Sequence, residues 1–147
     1  MKDRPVTASA VISFSQELED SSSRFYEELA QRFAQCREPF LGFARDGNKN
    51  ELLITRTYQE TVTDALETGF SFQGLRLEGH LVELTLPVDL SLAEALGMAI
   101  GLEEKAVAFY EEVAERSQSL LATIPGAFRR VAKRRRRRKA ALEAMRG

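Results

Sequence analysis

The amino-acid sequence predicts an all-α protein, a four-helix bundle of two helical hairpins joined by one long crossover. Four long segments carry apolar residues at three- and four-residue spacings, the period of a helix that buries one face. The first two segments are separated by only a few residues, as are the last two, whereas about 22 residues separate the pairs. Short links join antiparallel neighbours, and one long link between two hairpins is an established topology of four-helix bundles.

The residues at the ends of these segments fit helix boundaries. Pro39 suits the first turn of the second helix, and Gly69 suits the position just after its end. Ser91 and Glu94 have the three-residue spacing of a capping box at the start of the third helix. The sequence therefore predicts helices at about 8–35, 39–68, 92–118 and 125–145.

The crossover between the two hairpins spans residues 69–91. Within it, Val82, Leu84 and Leu86 alternate with polar residues, which is the period-two pattern of a half-buried strand. A short strand at this position has an unpaired edge that a second copy of the chain can extend. We therefore expect a homo-oligomer, and in the simplest case a homodimer.

The composition is that of an ordinary globular domain, with 147 residues of which 44% are apolar and 29% charged. This length suits one domain across residues 1–147. Cys36 is the only cysteine and His80 the only histidine, which excludes a disulfide framework, a Cys/His zinc site and a Cys–His catalytic pair. No apolar run could span a membrane and the N-terminus lacks a signal-peptide pattern, so we expect a cytoplasmic protein without membrane contact.

The charges are distributed unevenly along the chain. Residues 129–146, in the predicted fourth helix, contain ten Lys or Arg side chains against Glu143 alone, a net charge of +9. The total charge is −1, so the rest of the chain carries −10. Such a division indicates either a nucleic-acid or membrane contact, or two parts of one fold that attract each other. No aromatic residue interrupts the basic run, and no nucleic-acid-reading motif is present.

Two segments of the chain repeat each other. The segment LEDSSSRFYEELAQR begins at Leu18, and LEEKAVAFYEEVAER begins at Leu102, 84 positions later. Eight of the fifteen aligned residues are identical, among them a Glu (Glu19 and Glu103) and a Phe-Tyr pair. The Glu precedes the Tyr by two helical turns on one face. These matches indicate that the two hairpins share an ancestor.

This pattern resembles the rubrerythrin branch of the ferritin-like superfamily, whose first and third helices carry Leu-Glu, five further residues, and Phe-Tyr. The resemblance covers nearly the whole chain, from about Ala8 to Met145. It implies a ferritin-like four-helix bundle with a single crossover. It also implies that Glu19 and Glu103 stand where active members of the family bind iron.

The other ligands of a di-iron centre are missing from the chain. In this family the second and fourth helices each supply Glu-x-x-His, and one histidine cannot provide two such motifs. The resemblance puts Gly47 and Asn50 in place of Glu and His in the second helix. It puts Arg135 and Arg138 in their place in the fourth helix.

The apolar stripes of the two helices give the same register independently. The stripe residues are Phe40, Phe43 and Ile54 in the second helix and Phe128, Val131, Leu142 and Met145 in the fourth. Continuing each stripe in steps of three and four residues places Gly47, Asn50, Arg135 and Arg138 on the inward faces. The alternative is that both arginines lie on a solvated face, as most members of a run of seven basic residues must.

We expect an ion-pair cluster in the core in place of metal. Two carboxylates that face a bundle core need a neutralising partner, because burial of an unpaired charge costs several kcal/mol. A guanidinium binds carboxylate in a bidentate manner, so Arg135 and Arg138 are predicted to pair with Glu19 and Glu103. The remaining polar groups of the predicted cluster belong to Asn50, Tyr26 and Tyr110.

The sequence favours a ferritin-like protein without catalytic activity or cofactor, which acts as a binding or assembly module. One alternative is a di-iron-type oxidoreductase or iron-handling protein with an atypical carboxylate site of Glu19, Glu51 and Glu103 and with iron as its cofactor. A second alternative is nucleic-acid binding through the basic fourth helix. No phosphate-binding Gly loop or dinucleotide fingerprint is present.

Overall fold

Four helices of 24 or 25 residues make up most of the described chain. The computed structural model describes residues 6–61, 71–72, 77–117 and 123–146. The helices are α1 (Ala8–Arg32), α2 (Arg37–Thr61), α3 (Leu92–Arg116) and α4 (Thr123–Arg146). The predicted all-α four-helix class is therefore confirmed. A small antiparallel sheet of β1 (Val6–Thr7) and β2 (Ser71–Phe72) adds to it, and strands of two residues are too short for sequence periodicity to reveal.

Side-chain caps fix the starts of two helices. Thr7 accepts a hydrogen bond from the backbone N–H of Ala10 at 3.1 Å and caps α1. Ser91 and Glu94 form the predicted capping box of α3, because each side chain accepts from the backbone N–H of the other residue, at 3.1 and 3.0 Å. These side chains therefore satisfy one backbone N–H at the start of α1 and two at the start of α3.

The first hairpin turns earlier than the sequence predicts. Helix α1 ends at Arg32 rather than at residue 35, and a 3₁₀ turn at Ala34–Cys36 leads directly into α2. Pro39 lies in the first turn of α2, where its missing N–H costs no hydrogen bond. The predicted end of α2 near Thr68 lies outside the described residues.

The two hairpins pack around one core. Helix α1 lies along α2, α3 lies along α4, and α2 also contacts α4. Helices α1 and α3 approach each other less closely, and aromatic side chains fill the space between them, with the rings of Phe14 and Phe109 4.8 Å apart. The buried members of the predicted apolar stripes are Phe40, Ile54, Phe128, Val131 and Leu142.

The crossover segment 81–87 corrects the strand prediction. This segment has no regular secondary structure, although Val82, Leu84 and Leu86 do pack half-buried against the core. A strand needs a hydrogen-bonded neighbour, and here the backbone bonds instead to side chains of the bundle, with Lys105 Nζ donating to the carbonyl of Leu81 at 3.0 Å. The alternating pattern therefore describes a single extended chain lying on the helices. The expectation of a homodimer was based on the edge of this strand. Without the strand, the homodimer stays a prediction.

The outer faces of the helices are mainly charged. Arg136 of α4 forms an ion pair with Glu111 of α3, and Lys139 Nζ lies 3.8 Å from the Glu104 carboxylate. The basic helix is thus partly balanced by the acidic face of the helix beside it. Within the described parts of the chain, no helix has both the length and the apolar character needed to cross a membrane.

Candidate functional site

Two glutamates from the repeated segments face each other inside the bundle. Glu19 of α1 and Glu103 of α3 are both fully buried, as are Tyr26 and Tyr110 two turns further along the same helices. The Tyr26 hydroxyl donates to Glu103 Oε2, and the Tyr110 hydroxyl donates to Glu19 Oε2, each at 2.6 Å. Each tyrosine therefore binds the glutamate of the other half of the repeat.

The guanidinium of Arg135 lies between the two glutamates. Its Nη1 donates to both carboxylate oxygens of Glu103, at 2.9 and 2.8 Å. Its Nη2 donates to Glu19 Oε2 at 2.8 Å and to the Ser22 hydroxyl at 3.1 Å. Arg135 is fully buried, so one cation from α4 joins two carboxylates from α1 and α3 away from solvent.

Asn50 of α2 connects this buried cluster to the surface. Its side-chain amide donates to Glu19 Oε1 at 3.1 Å, and its carbonyl oxygen accepts from Arg134 Nη1 at 3.2 Å. Asn50 is itself buried. The Glu19 carboxylate thus accepts bonds from α2, α3 and α4 together, which fixes its orientation.

Arg138 also lies inside the bundle, but its contacts differ from those of Arg135. The residue is 5% exposed, and its Nη1 forms an ion pair with Glu103 Oε2 at 3.5 Å. The guanidinium lies 5.3 Å from the ring centroids of Tyr26 and Phe43, within the range of cation–π attraction. Its buried Nη1 has no hydrogen-bond acceptor among the described residues.

Burial and charge change the acid–base behaviour of the cluster. Burial raises the pKa of Tyr26 well above its usual value, and the Glu103 carboxylate raises it further. Burial and the Glu19 carboxylate raise the pKa of Tyr110 in the same way. Burial alone lowers the pKa of Arg135, but the charges of Glu103 and Glu19 outweigh it and leave that pKa above its usual value. Both phenols therefore remain donors, and the guanidinium remains a cation.

Gly47 marks a close approach of α1 and α2. A Cβ atom at this position would overlap the Ser23 hydroxyl and lie 3.2 Å from the backbone carbonyl oxygen of Glu19. The Ser23 hydroxyl donates to the carbonyl of Ala44 at 2.8 Å across the same contact. The two helices are therefore too close here for any larger side chain at position 47 without rearrangement.

Glu51 stands apart from the cluster. It is half-buried and hydrogen-bonds to Asp20, and no described hydrogen bond or ion pair links it to Glu103 or Arg135. Burial, followed by the bond to Asp20 and the charges of Asp20 and Glu19, raises the pKa of Glu51 to about 7. The three glutamates of the predicted carboxylate site are therefore not brought together.

The residues present do not fit a di-iron centre. A guanidinium has no lone pair to offer a metal, and its charge repels a cation, yet Arg135 lies against both candidate ligands. Gly47 has no ligand group, and a larger residue there meets Ser23. Across the ranges that the structure describes, no three or more His, Cys, Asp or Glu side chains are grouped to hold a metal ion.

Sequence reasoning missed two members of the cluster. Ser22 follows Glu19 by three residues on the same face of α1, so the helical period could have identified it. Arg134 gives no such signal, because it is one of seven consecutive basic residues and only its contact with Asn50 distinguishes it.

The chain is similar to a solved structure of the ferritin-like class. No family model matches it, and no curated protein does. A crystal structure of a Thermotoga maritima protein, described as a ferritin-like diiron-carboxylate protein, superposes with a TM-score of 0.78. The two sequences are 18% identical, and the match covers 99% of this chain and 97% of the other. The ferritin-like fold is thus confirmed, and assignment to the rubrerythrin branch stays a prediction.

Proposed function

We propose that this chain is a ferritin-like bundle in which a buried ion-pair cluster has replaced the di-iron centre, and that it acts as a non-catalytic binding or assembly module. One observation carries the proposal: the Arg135 guanidinium is hydrogen-bonded to both Glu19 and Glu103. These are the positions at which the resemblance places two iron ligands.

The physical reason is the competition between a guanidinium and a metal ion for the same carboxylates. Arg135 cannot yield by losing its proton, because a guanidinium stays protonated in proteins and the pKa of Arg135 is raised further here. It cannot easily swing away, because it is fully buried and four hydrogen bonds hold it. An entering cation would therefore have to expel a paired charge from a dry site.

The packing of α2 against α1 also opposes a return to the metal-ligand set. Restoration of a glutamate at Gly47 would force apart the contact with Ser23 and the Glu19 backbone. The arrangement of α1 and α2 therefore suits the ion-pair cluster and opposes the ligand set of a metalloenzyme. The bundle keeps the packing of its class and supplies charge from its own side chains.

The test is the response of the protein to iron. Protein purified without a tag is analysed for metal, and its melting temperature is recorded with ferrous iron and with a chelator. We expect no stoichiometric iron, no change in melting temperature and no iron-oxidation activity. A melting temperature that rises with iron, or turnover of ferrous iron, favours the alternative of an iron-handling protein and contradicts the proposal.

A matched variant checks that the assay can detect binding in this bundle. Arg135→Glu combined with Arg138→His places Glu-x-x-His on α4 opposite Glu19 and Glu103. This variant is expected to gain stability with added iron, because iron would replace the lost guanidinium charges. The wild-type response decides the question even where this variant fails to fold.

A further inference from the structure

A cleft of about 390 Å³ opens between α2 and α4, beside the buried cluster. Four of its lining residues are cationic: Lys49, Arg134, Arg137 and Arg138. Its one acidic residue, Asp46, lies 3.8 Å from Lys49. The ionisable groups of the lining therefore sum to a net charge of +3 within one small concave space, which attracts and concentrates anions.

Arg138 provides this cleft with a largely buried cation, in addition to the exposed charges. It lines the cleft although only 5% of it is exposed, and its buried Nη1, which lies 3.5 Å from Glu103 Oε2, has no hydrogen-bond acceptor among the described residues. A guanidinium has five N–H donors, and this ion pair involves one of its three nitrogens, so an anion in the cleft can offer acceptors to the others. The rings of Tyr26 and Phe43 hold the guanidinium in position before any ligand arrives.

Asn50, the other polar residue of the inner wall, already makes hydrogen bonds within the protein. The amide of Asn50 donates to Glu19, and its oxygen accepts from Arg134. Arg134 is thereby held at the edge of the cleft with further donors available, since this bond uses one of the five N–H groups of its guanidinium. The cleft thus presents fixed donors and has few acceptors of its own.

We propose that this cleft binds a small molecule through a phosphate group, with Arg138 as the inner contact and Arg134 and Arg137 at the mouth. Phosphate carries up to two negative charges and several acceptor oxygens, and guanidinium forks match it in geometry. Phe43 provides an apolar wall for an organic part of the ligand. This goes beyond the proposed function and does not depend on whether iron binds.

The geometry favours a small ligand over a nucleic acid. A nucleic-acid backbone contacts cations spread over an exposed face, and it would use Arg129 and Arg130 as readily as the arginines of the cleft. Arg138 lies too deep for such a surface contact, because only 5% of it is exposed. A ligand that reaches it must enter the cleft.

The test is a calorimetric titration of the full chain with pyrophosphate at physiological ionic strength. We expect saturable binding at one site. Arg134→Gln combined with Arg137→Gln should weaken it by about tenfold or more, because two charge-assisted bonds are lost. The control, Arg129→Gln combined with Arg130→Gln, removes the same charge from an exposed part of α4 outside the cleft and should change affinity by about twofold or less.

Two further measurements make the outcome decisive. Arg138→Gln should abolish the binding of pyrophosphate. If this variant fails to fold, the comparison of the two double variants still tests the proposal. Absence of saturable binding to the wild type overturns the proposal, as do equal losses of affinity in the two double variants. An oligonucleotide that binds more tightly than pyrophosphate, and depends equally on both pairs, also overturns it in favour of a nucleic-acid surface. Because metal content is measured in a separate experiment, the outcome of the iron test can be distinguished from the outcome of the pyrophosphate titration.

Discussion

Arg135 joins two carboxylates that come from different halves of the internal repeat. The desolvation of three charges is costly, and their mutual attraction and the hydrogen bonds around them offset that cost. Glu19 and Glu103 accept bonds from the guanidinium and from the tyrosine of the opposite half. Removal of the one shared cation would leave both carboxylates buried without their nearest positive charge.

Arg135→Met is therefore expected to lower the free energy of unfolding by about 3–5 kcal/mol, the cost of breaking a buried ion pair. Denaturant unfolding measures this change. Arg136→Met is the matched control, because Arg136 pairs with Glu111 at the surface and such pairs contribute at most about 1 kcal/mol. Similar losses of the free energy of unfolding in the two variants would show that Arg135 contributes no more to stability than a surface arginine.

Glu51 adds a pH dependence of its own. Its pKa rises from 4.5 in the unfolded chain to about 7 in the fold, so the native state binds its proton more tightly. For a raised carboxyl pKa, this contribution to stability is present at low pH and is lost as the pH rises from about 4.5 to 7.

Glu51→Gln is accordingly expected to stabilise the protein by about 1 kcal/mol at pH 8, a value reduced for the partial exposure of the group. At pH 4.5 the same substitution should have little effect. Denaturant unfolding at the two pH values measures the difference. Glu27→Gln, an exposed change on α1, serves as control. A benefit of Glu51→Gln that is equal at both pH values would exclude this linkage.

At the scale of the helices, the contact at Gly47 sets the distance between α1 and α2. Its hydrogen atom leaves room for the Ser23 hydroxyl, which bonds to the Ala44 carbonyl. Glycine inside a helix normally costs stability relative to alanine, so its presence here reflects a packing requirement.

Gly47→Ala is expected to destabilise the fold by about 1 kcal/mol, because the new methyl displaces the Ser23 hydroxyl. Gly42→Ala in the same helix meets nothing within 4 Å and should instead stabilise by about 0.5–1 kcal/mol. Addition of Ser23→Ala to Gly47→Ala should recover part of the loss. Thermal and denaturant unfolding of the four proteins measure these effects, and a stabilising Gly47→Ala would contradict the close approach.

The sequence predicted much of the helical architecture because helix signals are local. The capping box at Ser91 and the apolar stripes depend on spacing along one chain segment, and the structure retains both. The strand prediction at residues 82–86 was wrong for the converse reason. Alternating residues describe any extended chain with one side on a core, and only a hydrogen-bonded neighbour makes it a strand.

The partners within the site were harder to predict than its position. The repeat and the register of the fourth helix lead to Arg135 and Arg138 as equivalent neighbours of the glutamates. In the structure Arg135 bonds to both carboxylates, whereas Arg138 forms a longer ion pair with Glu103 alone and packs on two aromatic rings. Spacing along a helix gives direction, but the reach and rotamer of a long side chain decide which atoms it contacts.

At the scale of the whole molecule, the basic run of α4 is divided among different surroundings. Arg135 enters the core, Arg136 and Lys139 face acidic residues of α3, and Arg134 and Arg137 line the cleft toward α2. Attraction within the fold thus accounts for part of the charge asymmetry of the chain. Arg134 and Arg137 are available at the cleft where we propose that phosphate binds.

The most direct test of the buried ion-pair cluster is anomalous diffraction at the iron absorption edge from crystals soaked in ferrous iron. We predict no anomalous peak between Glu19 and Glu103, with the density of Arg135 continuous between the two carboxylates. An anomalous peak within ligand distance of both glutamates, with Arg135 displaced, would contradict it.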